Sequence, residues 1–74
     1  MEQVILNIIN SIRAAKGESA IYSLKEENKL REDLDLTSFD LAELTVRIED
    51  EYGVDIFEDG LVNTIGEIYA KLQK

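Results

Sequence analysis

The chain has 74 residues, a net charge of −8, and neither histidine nor cysteine. A chain this short forms one domain and buries only about 60% of its unfolded surface, which favours a binding module over an enzyme. Without histidine or cysteine it lacks a neutral-pH general base, a thiol nucleophile and any disulfide. No apolar run approaches the roughly 18 residues of a membrane span. We therefore predict a cytoplasmic, monomeric, single-domain protein over residues 1–74.

The first predicted helix covers residues 3–15 and ends near Gly17, because apolar residues recur there at helical spacing (Val4, Ile5, Ile8, Ile9, Ile12). Some twenty residues without a long periodic pattern follow, up to Thr37. A connection this long is uncommon in a compact domain and is usually functional. We expect three leucines to attach it to the core: Leu30, Leu34 and Leu36.

The second predicted helix runs from Ser38 to Tyr52 and ends at Gly53. At 100° per residue, one apolar stripe forms its core face (Leu41, Leu44, Ile48, Tyr52). A second apolar set lies on the opposite side, interleaved with acids (Phe39, Ala42, Val46). Apolar groups surrounded by acids are typical of a docking site, although scattered surface hydrophobes are also common.

The C-terminal part of the chain predicts a turn or very short helix over residues 58–62, followed by a last helix. Thr64 and Glu67 have the spacing of a capping box, and an amphipathic stripe follows (Ile65, Ile68, Tyr69, Leu72). The predicted fold is all-α: a small bundle of three main helices plus one short helix, with a long loop between helices one and two.

The negative charge is concentrated in one part of the sequence. Residues 33–59 contain ten acids and a single base, Arg47, whereas the rest of the chain sums to +1. Such a region repels nucleic acid and anionic membranes and attracts basic protein surfaces, although it could simply confer solubility.

The spacing Asp33-x-Asp35-x-Thr37 is not a calcium loop, because Ser38 and Leu44 stand where an EF-hand needs Gly and Glu. We predict no metal site.

Ser38 is the candidate site of chemistry. Its hydroxyl lies where a helix begins, so it can cap the first turn, and a phosphate attached to it would meet the positive end of the helix dipole. The simpler interpretation is an ordinary N-cap without modification.

Several segments resemble the acyl carrier proteins and their peptidyl and D-alanyl carrier relatives. The resemblance covers nearly the whole chain and rests on residues 30–34, Ser38-Phe39-Asp40, Glu43-Leu44, residues 49–56 and residues 64–68. It implies that Ser38 carries 4′-phosphopantetheine, whose thiol holds an acyl or aminoacyl group as a thioester. It also implies a non-catalytic carrier that meets a phosphopantetheinyl transferase, an acyl- or aminoacyl-activating ligase and downstream transferases. The matching docking residues are Phe39, Asp40, Ala42, Glu43, Val46, Arg47 and Asp50.

The chain also departs from the family pattern. Thr37 replaces the usual Asp before the serine, Phe57 stands where Pro is frequent, and the stretch before Thr64 is about two residues shorter. Phe39 in place of the usual Leu is similar to the D-alanyl carriers. These differences suggest a specialised carrier rather than a housekeeping one, and Thr37 predicts slower modification by a housekeeping transferase. The rival hypothesis is an acidic helical adaptor that has no prosthetic group.

Overall fold

The computed structural model describes residues 1–73, so Lys74, the last residue of the predicted domain, lies outside the described residues. Within them the fold is all-helical, with α1 at Glu2–Ala15, α2 at Ser38–Tyr52 and α3 at Ile65–Leu72. Periodicity predicted all three main helices. The bounds predicted for the first two helices agree with α1 and α2 to within one residue. None of these helices is long and apolar enough to cross a membrane.

The core is built from residues of every segment, including the loop. Its buried apolar side chains are Ile5, Leu6, Ile9, Ile12, Leu24, Leu30, Leu34, Leu36, Leu44, Ile48, Ile56, Val62, Ile65 and Ile68. Leu41 and Tyr52 are partly buried against this cluster, which confirms the predicted core face of α2. The three loop leucines are also buried, as expected, so the long loop is part of the packed structure.

Polar side chains of α1 hold the loop in place. Arg13 is buried, and its Nη1 donates to the carbonyl of Leu34 at 2.6 Å while Nε and Nη2 donate to the carbonyl of Ser19. Asn10 exchanges two hydrogen bonds of 2.8 Å with the backbone of Ile21. Because buried backbone groups need partners, these contacts let an irregular segment lie against the core.

The loop also pairs with the start of α3. The backbone N–H of Leu30 donates to the carbonyl of Asn63 at 2.8 Å, and the N–H of Gly66 donates to the carbonyl of Glu26 at 2.9 Å. A Cβ at Gly66 would lie 3.1 Å from that same carbonyl oxygen, so a side chain would push the two segments apart. Thr64 caps α3, and its capping box with Glu67 confirms the prediction.

The segment before α3 forms turns, which is one of the two outcomes predicted for it, and not a short fourth helix. Its hydrogen bonds span three residues, from Glu58 N–H to the Asp55 carbonyl and from Gly60 N–H to the Phe57 carbonyl, both at 3.2 Å. Gly60 has φ +136°, a conformation that ends any helical path. The turns keep Ile56 in the core and leave Leu61 exposed on the surface.

Candidate functional site

Ser38 is the first residue of α2, and its side chain is exposed to solvent. Thr37 is the N-cap, so the alternative in which Ser38 caps the helix is not observed: the Thr37 backbone is extended (φ −85°, ψ 173°), and its Oγ1 accepts a hydrogen bond from Asp40 N–H at 3.1 Å. Within residues 1–73 the Ser38 hydroxyl makes no hydrogen bond. The cap of α2 therefore does not use the Ser38 hydroxyl, which is available for reaction.

Asp40, one of the docking residues that the resemblance implied, completes the cap of α2. Its Oδ2 accepts from Thr37 N–H at 2.9 Å and from Lys16 Nζ at 2.6 Å, and the residue is only 5% exposed. The hydrogen bond from Lys16, followed by that from the Thr37 backbone, lowers the pKa of the Asp40 carboxyl. With two internal donors, this buried carboxylate helps to fix the first turn of α2.

The other proposed docking residues lie on the solvent side of α2. Phe39 is 81% exposed and Val46 is 57% exposed, and Ala42 is also exposed. This placement confirms the outward orientation predicted from the helical wheel. Exposed apolar groups of this size on a small domain form an accessible contact surface.

Charged side chains border this apolar stripe. Arg47 Nη2 lies 2.9 Å from Glu43 Oε2, one helical turn away, and Arg47 Nη1 donates to Ser11 Oγ on α1 at 3.2 Å. Asp50 is exposed. The guanidinium of Arg47 is therefore held by its own chain and neutralises Glu43, while Asp50 keeps its charge toward solvent.

An apolar groove of about 280 Å³ opens beside Ser38, between α2 and the turns after it. It is lined by Arg31, Ser38, Leu41, Ala42, Thr45, Phe57 and Leu61. The Thr45 hydroxyl donates to the Leu41 carbonyl at 2.8 Å, so its hydrogen is already used within α2. Ser38 thus stands at the edge of a groove with mostly apolar walls and one cationic side chain.

These residues fit a phosphopantetheine ester. The Ser38 hydroxyl is exposed and unbonded, its replacement by an ester removes no cap, and a groove adjoins it. The start of a 15-residue helix also favours negative charge at this position.

Sequence reasoning missed several residues around the site. The Thr37-x-x-Asp40 spacing was a local signal for a capping box and could have been recognised. Lys16, Arg31 and Leu61 gave no such signal, since the loop and the turns bring them to Ser38 only in the folded chain.

Comparison with known proteins identifies similar sequences. Residues 17–72 match the family model described as "Phosphopantetheine attachment site". The chain is 34% identical over 74 residues to an acyl carrier protein of Lactobacillus acidophilus, covering 97% of this chain and 92% of that protein. It is 32% identical over 75 residues to the meromycolate extension acyl carrier protein of Mycobacterium tuberculosis, covering 99% of this chain. The chain spans 64% of the length of that mycobacterial relative. No solved structure matches the chain.

Proposed function

Because the chain belongs to the acyl carrier protein family, whose prosthetic group is covalent 4′-phosphopantetheine, we propose that Ser38 is the attachment residue. The observation that carries this proposal is the exposed, unbonded Ser38 hydroxyl at the start of α2. The other serines lack this setting: Ser11 already accepts from Arg47, and Ser19 and Ser23 lie in the loop.

The prosthetic group supplies a thiol for thioester chemistry, which a chain without cysteine cannot provide itself. The protein itself positions the prosthetic group. Thr37 and Asp40 fix the backbone at Ser38, so a group attached there leaves the domain from a defined point. A tethered substrate then meets a docked enzyme at a high effective concentration, and this is the physical advantage of a carrier.

The cargo we propose is an acyl group, with an aminoacyl group as the alternative. The curated relatives are named acyl carrier proteins, and the groove beside Ser38 has mostly apolar walls. Loading assays with an acyl-activating and an aminoacyl-activating ligase distinguish the two. We place the domain in the cytoplasm, where such ligases work.

The docking surface that we propose consists of Phe39, Ala42, Glu43, Val46, Arg47 and Asp50. It combines exposed apolar groups with the acidic surface of α2, so it is complementary to basic enzyme surfaces that carry an apolar centre. The partners are the phosphopantetheinyl transferase, an activating ligase and downstream transferases.

Intact-mass measurement tests the attachment. We expect incubation with coenzyme A, magnesium and a broad-specificity transferase to add one phosphopantetheine to the wild-type chain and none to Ser38→Ala. Ser23→Ala, which removes an exposed loop hydroxyl, is the matched control and should be modified normally. Modification that persists in Ser38→Ala, or an unchanged wild-type mass with several transferases, would reject the proposal and favour the adaptor hypothesis.

Association rates test the docking surface. Asp50→Lys should slow binding to the transferase at low salt, and the difference should shrink as salt shortens the Debye length to roughly 8 Å at physiological ionic strength. Glu27→Lys makes the same charge change at an exposed loop position and should slow binding much less. Equal rates for the two variants would mean that the acidic surface of α2 only confers solubility.

A further inference from the structure

Among the arginines within residues 1–73, Arg31 is the one without a partner. Arg13 donates to backbone carbonyls of the loop, and Arg47 is paired with Glu43. Arg31 is exposed, and within residues 1–73 its guanidinium makes neither a hydrogen bond nor an ion pair. A guanidinium offers five N–H donors in a planar fork, so here these donors are available to a group outside residues 1–73.

The acids beside Arg31 in the sequence are turned toward another residue. Glu32 Oε2 lies 3.8 Å from Lys29 Nζ, and Asp33 Oδ2 accepts from Lys29 N–H at 2.8 Å. Arg31 instead lines the groove beside Ser38, together with apolar side chains and Thr45. It is therefore a cation in the same groove as Ser38, and no acid within residues 1–73 pairs with it.

The cationic side chain of Arg31 lies beside a strongly acidic part of the chain. Residues 33–59 carry a net charge of −9, and a phosphodiester on Ser38 adds one more negative charge to them. The phosphodiester is also the part of the prosthetic group nearest to the Ser38 oxygen, so it is the anion closest to the groove wall. A guanidinium binds phosphate oxygens through parallel N–H donors, which a lysine cannot reproduce.

We propose that Arg31 is a binding residue for the phosphodiester that joins the prosthetic group to Ser38. The inference rests on the attachment proposed above. Arg31 restrains the first part of the arm along the groove, and it offsets the negative charge that modification adds. The distal thiol end of the arm remains free to reach an enzyme.

Paired apo and holo proteins test the assignment without any enzyme activity. Thermal unfolding would be compared for wild type, Arg31→Met and Arg31→Lys, each with and without the prosthetic group. Since Arg31 has no partner within the described part of the unmodified chain, apo wild type and apo Arg31→Met should unfold at nearly the same temperature. Attachment should raise the wild-type melting temperature relative to Arg31→Met by about 1–6 °C at low salt.

The salt dependence of the melting temperature and the ³¹P NMR spectrum are two further measurements. The melting difference should fall at high salt, and the ³¹P chemical shift of the holo protein should change in Arg31→Met, with Arg31→Lys intermediate. Lys25→Met removes the same charge from an exposed loop position away from the groove and should behave as wild type.

Three results would overturn the proposal, each in a recognisable way. Equal apo-to-holo shifts and equal ³¹P spectra in wild type and Arg31→Met would remove Arg31 from the phosphodiester while leaving attachment at Ser38 intact. An Arg31 effect that appears only when the arm carries a carboxylate-bearing acyl group, and not a neutral one, would assign Arg31 to the cargo. Failure to form any holo protein on Ser38 would reject the attachment itself.

Discussion

Lys16 Nζ lies 2.6 Å from Asp40 Oδ2, so an ion pair joins the end of α1 to the first turn of α2. The same ammonium donates to the backbone carbonyl of Asp35 at 2.8 Å. Asp35 has φ +60°, a left-handed conformation that is unfavourable for a residue with a side chain. Lys16 therefore binds a backbone carbonyl before Ser38 and a side chain after it, and it positions Ser38 from both sides.

Replacing Lys16 by Met should lower the free energy of unfolding by about 1 kcal/mol, because it removes a partly buried ion pair and a hydrogen bond. It should also slow modification of Ser38, since the start of α2 becomes more mobile. Urea unfolding and the rate of phosphopantetheine transfer measure the two effects. Lys25→Met is the control, with neither effect expected. An unchanged transfer rate in Lys16→Met would show that the cap alone positions Ser38.

Stability should fall in acid because two carboxyls have lowered pKa values in the folded state. Hydrogen bonds from Lys16 and the Thr37 backbone lower the pKa of Asp40, and those from the Asn63 and Thr64 backbones lower that of Glu67. A group of this kind stabilises the fold fully above its unfolded pKa. That contribution is lost as the pH falls through the folded pKa.

Asp40→Asn isolates the contribution of one of these carboxyls. The variant should be less stable than wild type at pH 7, and the two should converge as the pH falls through the carboxyl range, because Asp40 is then protonated in both folded and unfolded wild type. Urea unfolding at a series of pH values measures this. A stability difference that stays constant with pH would contradict a charged Asp40 in the folded protein.

The parts of this structure that depend on local pattern were predictable from the sequence, and those that depend on long-range contact were not. The period of the apolar residues defined the helices and the outward stripe of α2, and Thr64-x-x-Glu67 defined the last cap. The Lys16–Asp40 pair spans 24 residues and exists only because the loop returns Ser38 to the end of α1. The groove likewise needs Arg31 from the loop and Leu61 from the turns, which lie 30 residues apart in the sequence and line the same groove in the fold.

Val46 and Ile48 form a matched pair on opposite sides of α2. Val46 is 57% exposed, so Val46→Glu should change the free energy of unfolding by less than about 0.5 kcal/mol while weakening enzyme docking. Ile48 is fully buried, so Ile48→Glu places a charge in the core and should cost at least about 3 kcal/mol. Thermal unfolding measures the stability of the two variants, and a transferase binding assay measures docking. A large loss of stability in Val46→Glu would show that this side chain packs in the core.

Tyr69 carries a buried hydroxyl that has no hydrogen-bond partner within the part of the chain that the structure describes. Burial raises the pKa of this phenol, so the neutral form is favoured in the folded state. An unpaired buried hydroxyl costs about 1–3 kcal/mol relative to a satisfied one. Removing it while keeping the ring should therefore preserve packing and relieve that cost.

We expect Tyr69→Phe to be as stable as wild type or more stable by about 1 kcal/mol at pH 7. Above pH 10 the stability difference between Tyr69→Phe and wild type should widen. In wild type, the raised pKa of folded Tyr69 stabilises the fold below the unfolded pKa, and this contribution is lost as the pH rises through the folded pKa. Urea unfolding at neutral and alkaline pH measures both effects. Tyr22→Phe, at a position 90% exposed, should match wild type at either pH. Destabilisation of Tyr69→Phe at pH 7 would mean that the hydroxyl has a partner, such as an ordered water, and that its burial is not costly.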